Sequence, residues 1–479
     1  MIIVASLLLI AYAIFYLYIA QQLLKADYKY LLFYCILFLP VYTVFLNVIY
    51  VGFKIPLLNQ LLQYSKEVLI FGGAVMLIFG ANNHIKRLWK LSFLDKAFIL
   101  FTTLAVIYAV LPLGEASALS KIVYLKNILL VPIFYLFGRN VKLSYDDWKT
   151  GFKLFLGLTL VTAVVVVIEK MVGHHLHALI DSPLYHSDMK EIDLKGVFGI
   201  GYTFEAQGGK PRYASLYANP LELSASMLIL AAYTIYMTVK VNHRTNKLIY
   251  LFFLLLGVIS LLSAYSRATF LAFFCMLIFM ALQLKYYRII IAVLASVGLF
   301  AFYFIFLASN DLRYFVIDTI TFQNSSSVTH IIDWLEAIES MVNNPMGIGL
   351  GTSGNMGGVE RDLIVGGENQ FLIYGVQMGF LSAIVYAVML FIGVKHCFDF
   401  QRSLASSKDK LVAFVAASVK FGLLIPMMTS NVEAYLFISL ITWWMIGQGE
   451  SQYLNSKKDT NYSNPINRLR LQSNYRGRP

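Results

Sequence analysis

Apolar residues along this 479-residue chain gather into long runs, near positions 2–20, 31–51, 66–82, 95–113, 122–138, 151–171, 221–239, 247–264, 267–283, 288–308, 369–394, 410–428 and 432–448. A helix of about 17 apolar residues or more can cross the hydrocarbon core of a bilayer. The pattern predicts an all-α polytopic membrane protein of about 12–13 transmembrane helices. It also divides the chain. N-terminal transmembrane helices occupy 1–171, a loop 172–220, central transmembrane helices 221–308, a larger loop 309–368, C-terminal transmembrane helices 369–448, and a basic tail 449–479 that reads as disordered. The first run lacks a basic start and a small-residue cleavage site, so it reads as a retained span rather than a signal peptide.

Most connections are short, which makes the two long ones informative, because a long connection is usually either functional or disordered. In the second, Val328, Ile331, Leu335, Ile338 and Val342 recur at helical spacing, with Asp333, Glu336 and Glu339 between them. That spacing predicts an amphipathic helix lying on the membrane surface or on the bundle. Asn343-Asn344-Pro345 ends it, and Gly347, Gly349 and Gly351 follow as a permissive turn.

Composition agrees with the pattern: 59% of residues are hydrophobic and 13% charged, against about 25% charged in soluble domains. The net charge of +12 is placed in a way that excludes a nucleic-acid reading. Lys25 and Lys29, then Lys86, Arg87 and Lys90, then Arg139, Lys142 and Lys149 occupy alternate connections. Lys240, Arg244 and Lys247, then Lys285 and Arg288, then Lys395, Arg402, Lys408 and Lys410 continue the series, and the tail adds more. All fall on one side if the N-terminus is outside and the C-terminus cytoplasmic. Both long loops are then extracytoplasmic. Cys35, Cys275 and Cys397 sit in or beside apolar runs and read as small hydrophobes. Mid-span positions look almost free of charge and no internal repeat is evident, which speaks against a transporter.

Candidate chemistry clusters at the outer face. Arg267, in Ser266-Arg267 between two apolar runs, lies against the positive-inside bias; it has a partner or a role, or it snorkels to the headgroups. Arg212 precedes a span on the same face and is equally readable as a ligand group or a solvated loop residue. Together the two arginines suit a bidentate grip on phosphates. Asn219-Pro220 with Glu222 reads as a helix start, with Glu222 a capping residue. Glu368 opens a span after two glycines, as a general base or as a carboxylate facing the helix dipole. Glu360, Asp362 and Asp311 are weaker acids, and Arg313 and Arg361 weaker phosphate groups. His330 contacts phosphate or simply opens the amphipathic helix. Trp334 and Tyr213 stack on sugars or anchor at the interface. His174, His175 and His177 are close in sequence, but no carboxylate motif accompanies them and no metal site is assigned.

At these residues the chain resembles the O-antigen ligase and polymerase superfamily, multi-span enzymes that handle polyprenyl-pyrophosphate-linked glycans. Arg212 through Pro220 is similar to the arginine-plus-Asn-Pro segment of that family, and Ser266-Arg267 to its Ser-Arg. The stretch from Trp334 to the glycines ending at Gly351 is similar to its large-loop signature, with Glu368-Asn369 as the polar dyad opening the next span. Two positions depart. Many members have His-Asn where this chain has Glu368-Asn369, and an arginine where it has His330. Since the ligases depend on that histidine, the resemblance implies a Wzy-type polysaccharide polymerase before a ligase, with a GT-C-like helical bundle in a bacterial inner membrane.

The implied reaction joins glycan repeat units at the extracytoplasmic face, from a polyprenyl-pyrophosphate-linked donor to a lipid-linked acceptor, without a cofactor. Arg212 and Arg267 would hold pyrophosphate, and Glu368 would act as base or orient the acceptor. His330, Trp334, Asn369, Tyr213 and Arg361 would contact substrate. Membrane lipids, a chain-length regulator and a flippase are the implied partners. Alternatives are transfer of the glycan to lipid A core or protein, and transport of lipid-linked sugars.

Overall fold

The computed structural model describes residues 1–80, 91–206, 209–307 and 325–463. Lys86, Arg87, Lys90, Asp311, Arg313 and the arginines of the tail lie outside the described residues, as does the side chain of Arg361.

Among the described residues, the predicted apolar runs lie mostly on helices. They are α1 (Ile2–Leu24), α2 (Lys29–Phe38), α3 (Tyr42–Phe53), α4 (Pro56–Phe79), α5 (Phe93–Val110), α6 (Ala118–Asn140), α7 (Tyr145–Val172), α10 (Pro220–Lys240), α11 (Arg244–Ser263), α12 (Arg267–Leu284), α13 (Tyr287–Phe302), α15 (Gln370–Gln401), α16 (Ser407–Thr429) and α17 (Leu436–Ser463). The short α8 (Leu176–Leu179) and α9 (Ser182–Lys190) belong to the first long connection, and α14 (Ser325–Asn343) to the second. The described strands are two residues each, Glu205–Ala206 paired antiparallel with Lys210–Pro211.

Among the described residues, ten helices are long and apolar enough to cross a membrane, or eleven if α2 and α3, bent by 65°, form one span. This is the all-α, multi-pass architecture expected, with a smaller count. The bend follows Pro40, which cannot continue a helix. The two runs beyond the count are 288–308, where α13 is 16 residues long before a π-helical turn at Tyr303–Leu307, and 432–448. There a 3₁₀ turn at Val432–Ala434 delays the helix to Leu436. The tail reading also changes, because α17 continues through 449 to Ser463, with Glu450 and Tyr453 buried. Buried groups on that helix give it packing that composition alone hides.

Contacts between connections fall into two sets, one at each end of the bundle. At one end, Arg139 Nε lies 3.2 Å from Asp95, Trp148 Nε1 donates to Gln448 at 2.6 Å, and Tyr236 donates to the Ser407 carbonyl. This end carries the basic connections. At the other, Ser117 N–H donates to Glu360 at 2.7 Å, Tyr50 to Asp188 at 2.8 Å, and Arg212 to the Tyr265 carbonyl at 3.3 Å. All six connections predicted to be outer meet at that second end.

α10 and α16 are the most buried spans, while α1 and α11 are peripheral. α6 and α17 cross closely. A Cβ at Gly138 would lie 1.9 Å from the Trp444 carbonyl, and one at Gly447 2.3 Å from the Tyr135 carbonyl, so only glycine admits this approach. Trp444 stacks on Phe137 beside the crossing, with ring centroids 5.1 Å apart.

The interior is not free of charge, contrary to the sequence reading. Lys420 and Glu433 form a fully buried pair at 3.3 Å, and Lys66, Glu67 and Lys126 form a second group, with Lys66–Glu67 at 2.9 Å and Lys126–Glu67 at 3.1 Å. Single charges inside apolar runs are masked by averaging, and Lys126 is 59 residues from its partner Glu67.

Candidate active site at one end of the bundle

Local backbone chemistry brings the two arginines together. The Arg212 N–H donates to the Phe204 carbonyl at 2.8 Å, and the Tyr213 N–H to the Ser263 carbonyl at 3.2 Å. These bonds lay the segment across the end of α11. Tyr265 has φ +46°, a left-handed turn between α11 and α12, and its carbonyl accepts from Arg212 Nη2 at 3.3 Å. Ser266 caps α12, accepting from the Thr269 N–H at 3.4 Å, and Thr269 Oγ1 is 3.1 Å from Ser224 Oγ on α10. Arg267 is therefore the first residue of an anchored helix, at the positive end of its dipole, where a cation is disfavoured and an anion favoured.

Burial, then the neighbouring Arg267, hold the Arg212 guanidinium below its ordinary value, with Tyr435 opposing. No carboxylate contributes. Arg212 Nε is shielded and has no acceptor within the protein. The two half-buried guanidiniums thus lie within electrostatic reach of each other.

The second half of the site is built by the large connection. α15 is broken at Met378–Gly379, which exposes backbone carbonyls within the helix. Ile348 N–H donates to the Val376 carbonyl at 2.8 Å and Gly349 N–H to that of Gln377 at 3.1 Å. Gly347, at φ +84°, could not carry a Cβ, which would lie 2.6 Å from the Gln377 carbonyl oxygen; one at Gly349 would lie 2.3 Å from that of Leu113. The glycine-rich turn is thus a backbone-to-backbone seat against α15 and the α5–α6 connection. Gln377 secures it, donating to Tyr124 Oη at 2.6 Å and the Ser353 carbonyl at 3.1 Å while accepting from the Gly351 N–H at 2.7 Å.

From this seat the chain returns to Glu368. Val365 N–H donates to the Thr352 carbonyl at 2.9 Å. A Cβ on Gly366 would lie 2.7 Å from the Asp333 carbonyl oxygen, so α14 packs directly on that turn. His330, one helical face with Ala337 and Met341, meets the carboxylate of Glu368 through Nδ1. Burial, then Glu368 and Glu336, push the Asp333 carboxyl above its ordinary value, with His330 opposing.

The amphipathic helix exists, and four of the five residues expected on its apolar stripe lie there, with Ile332 in place of Ile331. Ala337 and Met341 pack on Val376, while Val328, Ile332, Leu335, Ile338 and Val342 form an exposed apolar stripe. Trp334 lies between the two faces, half-buried, with its Nε1 shielded and lacking a protein acceptor.

Other predicted residues take structural places. Asn369 caps α15, its oxygen accepting from Phe371 and Leu372 N–H at 3.0 and 3.2 Å. Tyr213 is buried against His175, with ring centroids 5.1 Å apart, and offers no open face for a sugar. Glu222 N–H donates to the Asn219 cap at 2.9 Å, and its carboxylate accepts from Phe437 N–H at 3.4 Å, tying α10 to α17. Glu360 pins its loop to Ser117; that N–H, followed by the side chains of Ser120 and Ser117, holds its carboxyl below its ordinary value. His177 bonds the Tyr217 carbonyl at 2.8 Å, whereas His174 turns to that of Val172 at 3.0 Å. Among the described residues no group of three His, Cys, Asp or Glu is placed to hold a metal.

Tyr435 is the residue that sequence reading missed. It is buried and lies within electrostatic reach of Arg212 on one side and of Glu222 and Glu368 on the other. It joins the cationic and acidic halves. No motif marks it; only the 3₁₀ turn before α17 puts it there.

The chain matches no family model and no curated protein.

Proposed function

We propose that this chain is a polysaccharide polymerase that joins polyprenyl-pyrophosphate-linked repeat units at the outer face of a bacterial inner membrane, with its N-terminus outside. The adjacency of Arg212 and Arg267, at the same end of the bundle as Glu368, carries this reading. A sugar hydroxyl of the acceptor attacks the anomeric carbon of the donor glycan. The bond from that carbon to the pyrophosphate oxygen breaks, and polyprenyl pyrophosphate departs with the electron pair. The arginines stabilise the charge that develops on the leaving group.

The attacking hydroxyl also loses a proton. The two positions at which the chain departs from the resembled family, His330 and Glu368, are in contact. A histidine therefore remains in the site, supplied from α14 instead of the start of α15. In this reading His330 takes the proton, and the adjacent Glu368 carboxylate stabilises the resulting cation. The amphipathic helix covers the site and Trp334 lines it.

The buried lysines and glutamates give a lipid-linked-sugar transporter more support than the sequence did. They favour it less than the enzyme, because the carboxylates of Glu67 and Glu433 are ion-paired rather than held open along a path.

The test is glycan length in cells lacking the protein, complemented with wild type, Arg267→Ala or His330→Asn at equal membrane abundance. Single repeat units at the surface of the deletion, with ladders restored only by wild type, are the expected result. Long chains stranded on the polyprenyl carrier would indicate a ligase. Repeat units trapped inside would indicate a flippase.

A further inference from the structure

A second cationic group lies outside the site just described. α4 and α6 both start at the end of the bundle that carries Arg212 and Glu368. Lys66 is ten residues into α4, about 15 Å along its axis, and Lys126 eight residues into α6, about 12 Å along. The two lysines thus sit at similar depth, and both reach the same oxygen of Glu67, at 2.9 and 3.1 Å.

Two ammonium groups on one carboxylate leave one positive charge over. No other carboxylate acts on either Lys66 or Glu67. Lys66 is fully engaged, donating to Tyr42 Oη at 2.9 Å, the Gln63 carbonyl at 3.2 Å and Glu67. Lys126 donates to Glu67 alone at 3.1 Å and otherwise rests over the Tyr64 ring, 5.2 Å from its centroid. It keeps donors in reserve. Asn59, two turns from Lys66 on the same face of α4, is 1% exposed, and both of its side-chain polar atoms lack a protein partner.

The flank is open to lipid. The Lys126 side chain is 24% exposed and Tyr64 48%, beside the exposed apolar residues Leu61 and Val68. The group is also continuous with the candidate active site. Asn127, the next residue, donates to the Gly357 carbonyl at 2.8 Å, in the connection that leads to Glu368.

We infer that Lys126, with Lys66 and Asn59 behind it, forms a second anion site that takes the pyrophosphate of the lipid-linked acceptor. The inference rests on the polymerase reading, because a reaction between two lipid-borne glycans needs two headgroup sites. The excess charge calls for an anion, and the apolar flank selects one carried by a lipid over a free ion. The Arg212–Arg267 pair keeps the donor. Lys126→Gln leaves the Lys66–Glu67 pair intact and neutral, so the fold survives the substitution.

The test is native mass spectrometry of the full chain in phosphatidylcholine nanodiscs, titrated with a sugar-free polyprenyl pyrophosphate. Wild type binds two copies, Arg267→Ala and Lys126→Gln one each, and the double variant none; Lys126→Arg restores the second copy. The Lys126-dependent copy should weaken at least tenfold in Lys126→Gln. Equal binding by wild type and Lys126→Gln overturns the site. Displacement of that copy by phosphatidylglycerol at equal concentration, or equally tight binding of inorganic pyrophosphate, overturns its assignment to the acceptor. Loss of only the Lys126-dependent copy, with Arg267→Ala unchanged from wild type, would sink the donor site while leaving this one standing.

Discussion

The buried Lys420–Glu433 pair makes the sharpest energetic prediction, because its two members are supported unequally. Glu433 accepts from Tyr386 and Ser439, from Trp443 Nε1 at 3.0 Å, and from Lys420 at 3.3 Å. Lys420 has Glu433 and the face of the Trp443 ring, 4.0 Å from its centroid. Removing one partner of a buried pair typically costs about 3–5 kcal/mol. A stranded group can instead neutralise itself, which caps the cost. At pH 7 an aqueous glutamate takes a proton for about 3.7 kcal/mol, and an aqueous lysine gives one up for about 4.6 kcal/mol. In Lys420→Met the carboxylate keeps three neutral donors, so the loss falls below its cap, at about 2–3 kcal/mol. In Glu433→Gln the ammonium keeps only a π-face and an amide oxygen, and the loss approaches about 4–5 kcal/mol. The double variant Lys420→Met/Glu433→Gln should be more stable than Glu433→Gln alone, which requires a coupling larger than the Lys420→Met loss, about 3 kcal/mol. Equilibrium unfolding in mixed micelles, titrated with SDS, measures all four proteins. A Lys420→Met loss equal to or greater than that of Glu433→Gln would refute the reasoning.

Further predictions follow from the site's supports. Burial holds His175 and His177 down to about 4. An unfolded histidine protonates near 6.5, so between about pH 6.5 and 4 the opened segment binds the extra protons, and stability falls as pH drops, by about 1.4 kcal/mol per pH unit for each histidine. Hydrogen exchange over 172–219 should accelerate through that window, less steeply in His177→Asn; pH-independent protection down to pH 4 would contradict the assignment. Gly347→Ala should cost about 1–3 kcal/mol by straining a φ of +84° and crowding Gln377, and should open 345–368 to protease; unchanged cleavage would mean that the seat on α15 is not formed. Spin labels at 335 and 336 should report opposite surroundings, lipid for Leu335→Cys and water for Glu336→Cys. Identical accessibility would show that α14 does not lie at the membrane surface.

The apolar runs were legible because spanning helices need long uniform sequence, and the alternation of basic connections put the same six connections at one end as the fold does. Arg212 and Arg267 stood out as isolated charges at the wrong end. Cross-chain pairing was not legible. Lys66 and Lys126 are 60 residues apart, and only packing of α4 on α6 puts them on one carboxylate. Which side of α14 packs inward was not legible, because only contact with Val376 selects Ala337 and Met341 as the inner face. The glycines were seen as a turn, but their reason, the break in α15 at Met378–Gly379, lies about thirty residues away. Tyr435 carries no sequence signal because its place depends on a single 3₁₀ turn.

The most direct test of the central claim is reconstitution of the purified chain in liposomes with a defined polyprenyl-pyrophosphate-linked repeat unit. The account predicts a ladder of lengthening glycans, with one polyprenyl pyrophosphate released per bond formed, and neither product from Arg212→Ala/Arg267→Ala. Ladders undiminished in that double variant, or movement of the intact lipid-linked unit across the bilayer without bond formation, would contradict it.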